Sequence, residues 1–234
     1  MSKDEIIILH GWGLKGGVYE SLASLLREQG SSVYAPDLPG FGDEKLKSPF
    51  MNLSDYVDFL GDFIKKNKIS RPVLIGHSFG GRIALKYSWR YPKNVSKLVL
   101  TGVPIIRNKP FLRKIWFIFA VIFGRLFKIF PKSLEKKVRK LFYFAIGEWD
   151  YYKSGPLKQV FKNIIGEDLD KYIEEIEIPV LLVWGKDDKI TPVSDVSKVK
   201  KMNRSIKTVI VKGTGHKLPY EKPIDFYKSI VSFI

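Results

Sequence analysis

Cysteine is absent from the 234 residues, which excludes disulfides, thiolate metal ligands and a cysteine nucleophile. That fits a reducing compartment. Met1-Ser2-Lys3-Asp4-Glu5 leads straight into a strand pattern with no secretory signal, so a cytoplasmic location is expected. Histidine is scarce as well. His10, His77 and His216 are the full set, and no motif calls for a metal or an organic cofactor. Acidic residues are in deficit, 24 against 40 Lys and Arg, for a net charge of +16. No linker composition and no internal repeat divides the chain.

The charge is unevenly spread. From Pro104 to Ala145 there are eleven basic residues (Arg107, Lys109, Arg113, Lys114, Arg125, Lys128, Lys132, Lys136, Lys137, Arg139, Lys140) and one acid, Glu135. Such a block reads first as a solvated face and next as a surface for an anionic membrane or an acidic protein. Nucleic acid is not expected, because no recognition motif accompanies the charge. The most apolar stretch of the segment, Ile115 to Gly124, is ten residues long and too short to span a bilayer. Arg113, Lys114, Arg125 and Lys128 bracket it, so it reads as a covering helix or as an interfacial one.

What is present is one large α/β domain's worth of apolar sequence, 45% hydrophobic and 14% aromatic. Apolar strand patterns at Glu5–Leu9, Ser32–Ala35, Pro72–Ile75, Val95–Thr101, Ile178–Trp184 and Thr208–Val211 alternate with helical periodicity. That alternation predicts about six parallel strands flanked by helices. Helices are expected over Val18–Gln29 (ending at Gly30), after a Ser54 cap, over Arg82–Tyr91, from Pro192 with Thr191 as its cap, and over Ile224–Ile234. The rhythm breaks at Gly102. Residues 1–102 and 169–234 read as the core, and 103–168 as a helical lid inserted after the fourth strand, at the carboxyl edge where ligands bind in open sheets.

The chemistry centres on Gly76-His77-Ser78-Phe79-Gly80-Gly81, between an apolar strand and a helical pattern. A bare Gly-x-Ser-x-Gly arises by chance in roughly one chain in ten of this kind, so context carries the argument. A strand turning sharply into a helix strains its central residue and tolerates only small neighbours two positions away. It also lifts the serine hydroxyl beside free helical N–H groups. An alcohol needs an adjacent base, and the base an orienting group. His10 sits in a glycine-rich loop and His77 is expected to point to the other side of the turn, leaving His216 in Gly213-Thr214-Gly215-His216. The acid comes from Gly185 to Pro192, where Asp188 is preferred over Asp187 by its position between Gly185 and the helix start. An oxyanion hole would use the N–H groups of Phe79 and of Trp12, in His10-Gly11-Trp12-Gly13.

These four segments, in this order, resemble the α/β-hydrolase superfamily. The His-Gly-Trp-Gly loop is similar to that of small carboxylesterases, including pimeloyl-carrier methyl ester esterases. The resemblance implies Ser78 as nucleophile, His216 as base, Asp188 as its orienting acid, Trp12 and Phe79 as the oxyanion hole, and a small-molecule ester as substrate. Trp12, Phe79, Trp116 and Phe119 are the expected substrate contacts, with plain packing as the alternative. A lipase, thioesterase or C–C bond hydrolase would use the same triad, and a non-catalytic ligand-binding member would be expected to lack part of it. An acidic carrier protein is a candidate partner for the basic lid.

Overall fold

The computed structural model describes residues 4–106 and 155–234. The expectations for Trp116, Phe119, the apolar stretch Ile115–Gly124 and the basic residues from Arg107 to Lys140 lie outside the described residues.

Six parallel strands form one sheet: β1 (Glu5–Leu9), β2 (Ser32–Tyr34), β3 (Val73–His77), β4 (Lys97–Thr101), β5 (Val180–Gly185) and β6 (Lys207–Val211). Their order is β2-β1-β3-β4-β5-β6. The chain therefore steps outward from β1 to β2, then back across β1 to β3. This reversal opens a crevice at the carboxyl ends of β1 and β3. The central strands are largely apolar on both sides because a parallel sheet carries helices on both faces. Side chains alternate between two cores. Ile7, Leu9, Leu74, Leu98, Leu100, Leu182 and Trp184 face one, and Ile6, Ile8, Val73, Ile75, Val99, Leu181 and Val183 the other.

Helices α1 (Glu20–Glu28) and α8 (Pro223–Ile230) cover the second face through Leu22, Leu26, Phe226 and Ile230. The first is covered by α2 (Leu53–Lys66), α3 (Phe79–Arg90), α4 (Lys158–Gly166), α5 (Asp170–Glu175) and α6 (Ser194–Met202). A short α7 (Leu218–Glu221), unmarked in the sequence pattern, precedes α8. Gly30 follows α1 with φ +91, the left-handed conformation of a helix-ending glycine.

Three helix starts differ from expectation. Asn52, not Ser54, caps α2: its Oδ1 accepts from Ser54 N–H at 2.7 Å, and Asp55 Oδ2 accepts from Asn52 N–H at 2.7 Å. The reciprocal box needs an acid three residues after the cap, and Asp55 stands in that place. Helix α3 begins at Phe79 rather than Arg82, since Gly81 and Arg82 N–H both donate to Ser78 O. Thr191 caps no helix. Its hydroxyl goes to Asp188, and α6 starts at Ser194.

The described residues run to Ile106 after β4 and resume at Gly155 just before α4. Both stems are tied to α3 by one residue. Arg82 donates to Pro104 O (3.0 Å) on the departing stem and to Ile164 O (2.8 Å) and Glu167 O (2.5 Å) on the returning one. Val160 and Ile164 of α4 are buried in the first core.

Candidate active site

Because all six strands run the same way, the loops after β1, β3, β5 and β6 gather at one edge of the sheet. The loop after β3 is the sharp turn the sequence implies. Ser78 has φ +50 and ψ −111, a conformation non-glycine residues rarely adopt. The turn is possible because its neighbours lack side chains. A Cβ on Gly76 would strike Gly81, one on Gly80 would strike the carbonyl of Leu9, and one on Gly81 would strike Val103. Ser78 N–H donates to Thr101 O at 2.9 Å, pinning the turn to the end of β4.

The β5 and β6 loops bring Asp188 and His216 together. Asp188 Oδ2 and His216 Nδ1 are 2.9 Å apart, with the carboxylate side chain 1% exposed and the imidazole 13%. The remaining capacity of the carboxylate is filled locally. Ile190 N–H and Thr191 N–H donate to Oδ1 at 2.8 and 2.9 Å, and the Thr191 hydroxyl donates to Oδ2 at 2.8 Å. Burial pushes the Asp188 carboxyl up, but the hydrogen bond and charge of His216, with the hydrogen bonds from Thr191, outweigh it and hold the group below its ordinary value. Asp187 is exposed and uses its backbone instead, donating to Thr214 O at 2.9 Å. The two loops interlock further through Gly185, where any Cβ would meet the carbonyls of Thr214 and Gly215 at 2.5 Å.

His77, the residue before Ser78, packs against His216. The His77 ring lies 5.0 Å from the His216 ring, centroid to centroid, and is joined to the His216 carbonyl at 2.9 Å. Gly102, with φ +59, leaves the room that the His216 ring occupies, since a Cβ there would sit 2.9 Å from Nδ1 and Cε1. Among the described residues the Ser78 hydroxyl and His216 share no hydrogen bond. Contacts of this kind often tighten only with substrate in place.

The β1 loop brings up Trp12. Neither the Trp12 nor the Phe79 backbone N–H has a hydrogen-bond partner among the described residues, although Gly80 N–H beside them donates to His10 O at 3.0 Å. Two unsatisfied donors at the start of α3 and in the facing loop suit an anionic oxygen. The loop is held by His10, fully buried, which donates from Nδ1 to Gly11 O (2.8 Å) and accepts from Leu38 N–H on Nε2 (2.9 Å). Burial holds the His10 pKa down, keeping the ring neutral in that role.

Aromatic rings cluster beside the Ser78 turn. Trp12 packs edge-on against Phe79 (5.2 Å), Phe41 (4.9 Å) and Phe161 (5.0 Å), and Tyr56 against Phe79 (4.9 Å). Trp12 and Phe79 were expected to be near one another. Phe41, in a turn-dense loop, and Phe161, on α4, were not singled out. Nothing in their local pattern separates a pocket aromatic from a core one. Among the described residues no group of three or more His, Asp or Glu side chains is arranged to hold a metal, and no helix is long and apolar enough to cross a membrane.

A parallel six-stranded sheet, a strained serine turn after β3 and an Asp–His pair from the two strands beyond β4 define a class of protein. The chain belongs to the alpha/beta hydrolase family, whose model matches residues 6–229. Within that family it is 25% identical over 252 residues (99% of this chain, 89% of the other) to a Mycoplasma genitalium protein with the provisional name esterase/lipase 2. It is 26% identical over 250 residues (98% and 93%) to a pimeloyl-[acyl-carrier protein] methyl ester esterase of Wigglesworthia glossinidia brevipalpis. A thermophilic esterase from Thermogutta terrifontis has the same fold, with a TM-score of 0.75 at 17% identity over 98% of this chain and 89% of that one.

Proposed function

We propose that the chain is a serine hydrolase that cleaves carboxylic esters through a covalent acyl-enzyme. The observation that carries this reading is the buried Asp188–His216 pair beside the strained Ser78 turn. In the proposed reaction His216 Nε2 takes the proton of the Ser78 hydroxyl as its oxygen attacks the ester carbonyl. Asp188 fixes the ring with Nδ1–H toward the carboxylate and stabilises the imidazolium that forms. The oxyanion of the tetrahedral intermediate accepts from Trp12 and Phe79 N–H, where loss of one donor typically costs about 3 kcal/mol. His216 then returns the proton to the leaving alcohol. Water, deprotonated by the same ring, releases the acid and regenerates Ser78.

Trp12, Phe79, Phe41 and Phe161 offer an aromatic wall, which suits an aliphatic or aromatic acyl group better than a polar amide. The reading of 103–168 as a cover over this crevice, with Trp116 and Phe119 facing substrate, belongs to the same proposal. Its support is the pair of stems that Arg82 holds beside the crevice. An acidic carrier protein that docks on the basic residues of that segment would account for their concentration in the sequence.

The test is hydrolysis of p-nitrophenyl esters from acetate to palmitate by wild type and Ser78→Ala, with a serine-reactive phosphonate as an active-site label. Turnover of short esters by wild type and its loss in the variant are expected. A preference confined to long chains makes a lipase the better description, and a variant as active as wild type refutes the assignment.

A further inference from the structure

His216 hangs from β6, and Ser78 follows β3. Two strands, β4 and β5, lie between them, so no ladder hydrogen bond sets one loop against the other. The Asp188 carboxylate orients the imidazole but not the elbow. Something else must hold the two loops at a working distance.

We propose that Tyr19 and His77 are a positioning pair, one buried hydrogen-bond chain that locks the Gly11–Trp12 loop and the His216 backbone on either side of Ser78. The inference rests on the serine-hydrolase reading above. Gly11 N–H donates to Tyr19 Oη at 3.2 Å, Tyr19 Oη lies 2.6 Å from His77 Nδ1, and His77 Nε2 lies 2.9 Å from the His216 carbonyl. The chain has one consistent direction. A carbonyl only accepts, so His77 Nε2 carries the proton. Nδ1 of the neutral ring is then an acceptor, Tyr19 is its donor, and the phenol oxygen is left to accept from Gly11. Three loops are thereby joined in a single line, whose longest step spans 139 residues of sequence.

Packing enforces the same placement. His77 is 2% exposed and Tyr19 1%. A Cβ on Gly11 would come within 2.8 Å of His77 Nδ1, so the backbone there packs directly on the ring. Burial first, and then the neighbouring His216, push the His77 pKa down to about 3, which keeps the ring neutral near neutral pH. Burial likewise raises the Tyr19 phenol far above its usual value, so it stays a donor. His77 has both ring nitrogens committed, to Tyr19 and to the His216 carbonyl. It acts through the two loops.

The experiment compares wild type with Tyr19→Phe, His77→Asn and His77→Gln. A glutamine amide reaches about as far as Nε2 and can still donate to the His216 carbonyl, whereas asparagine mimics only Nδ1. With active sites titrated by the phosphonate, His77→Asn and Tyr19→Phe are expected to lose about 10- to 100-fold in kcat with KM nearly unchanged, as for a small misplacement of reacting groups. His77→Gln should recover part of the asparagine loss, because it restores the donor to the His216 carbonyl but not the acceptor for Tyr19. Equal kcat per titrated site in all four proteins, or no rescue by glutamine, overturns the proposal. A separate readout covers the case in which wild type cleaves no ester and the Ser78 reading itself falls. Nitrogen NMR of labelled histidine must find His77 Nδ1 unprotonated and Nε2 protonated at neutral pH, and the opposite tautomer sinks the pair on its own.

Discussion

Acid should destabilise this protein well above the range in which its carboxylates titrate, and His77 is the reason. Its folded pKa is about 3 against 6.5 for a free imidazole, because the ring is buried and lies beside His216. A group whose folded value is depressed binds fewer protons in the native state than in the unfolded one between those two values. Stability therefore rises with pH across that window and falls as acid is added. Between about pH 7.5 and pH 5 the unfolded imidazole goes mostly from neutral to charged while the native one stays neutral, a loss of about 2 kcal/mol from this residue alone. His10 shifts in the same direction, also through burial, and adds to the slope. The Asp188 carboxyl, held low, contributes its own loss only below about pH 4, so the window is free of it. Urea unfolding at the two pH values, for wild type and His77→Gln, measures the term as a difference of differences. Wild type should lose about 2 kcal/mol more than the variant on acidification. Parallel pH profiles for the two proteins would show that burial does not keep His77 neutral and would refute the reasoning.

Replacing Gly102 by Ala puts a Cβ against the His216 ring at a positive φ. A stability loss of roughly 1–2 kcal/mol by thermal or urea unfolding should accompany a fall in kcat of at least about 10-fold in ester hydrolysis. Thr191→Val removes one of the donors on Asp188 Oδ2 and should cost about 1 kcal/mol of stability, with a several-fold loss of kcat, measured by the same two assays. Asp188→Asn should leave the fold intact by circular dichroism and lower kcat by on the order of 10⁴, as an amide favours the wrong imidazole tautomer. Arg82→Leu strips three carbonyls of a charged donor and should lower stability by at least about 3 kcal/mol in urea unfolding.

The sequence carried the sheet because parallel strands are apolar on both faces: Glu5–Leu9 stands out from its surroundings without reference to anything distant. The elbow was legible for a related reason, since strain at Ser78 demands glycine at fixed offsets and leaves a local signature. Asp188 could be preferred over Asp187 from its place in the loop, but the bond that distinguishes them joins residues 28 positions apart. Helix starts were less secure, because Asn52, Ser54 and Thr191 are all plausible caps and tertiary partners decide. Ser54 Oγ receives Lys86 Nζ at 2.7 Å, and the Thr191 hydroxyl is taken by Asp188. Tyr19 and Arg82 gave no signal at all. One is an aromatic on a helical stripe and the other a charge on a helix, and their importance exists only once distant backbone comes within reach.

The double grip of Arg82 bears on how such a chain can change over evolutionary time. Departing and returning stretches of backbone meet at a single guanidinium, so the core holds the two stems together whatever their separation in sequence. Lengthening a closed loop is thermodynamically mild, about 0.6 kcal/mol for each doubling. Added length between the stems therefore costs the core little, and the Ser78 elbow keeps its support. A graft of the equivalent segment from an unrelated hydrolase, cut at these two stems, is the change this architecture is built to survive.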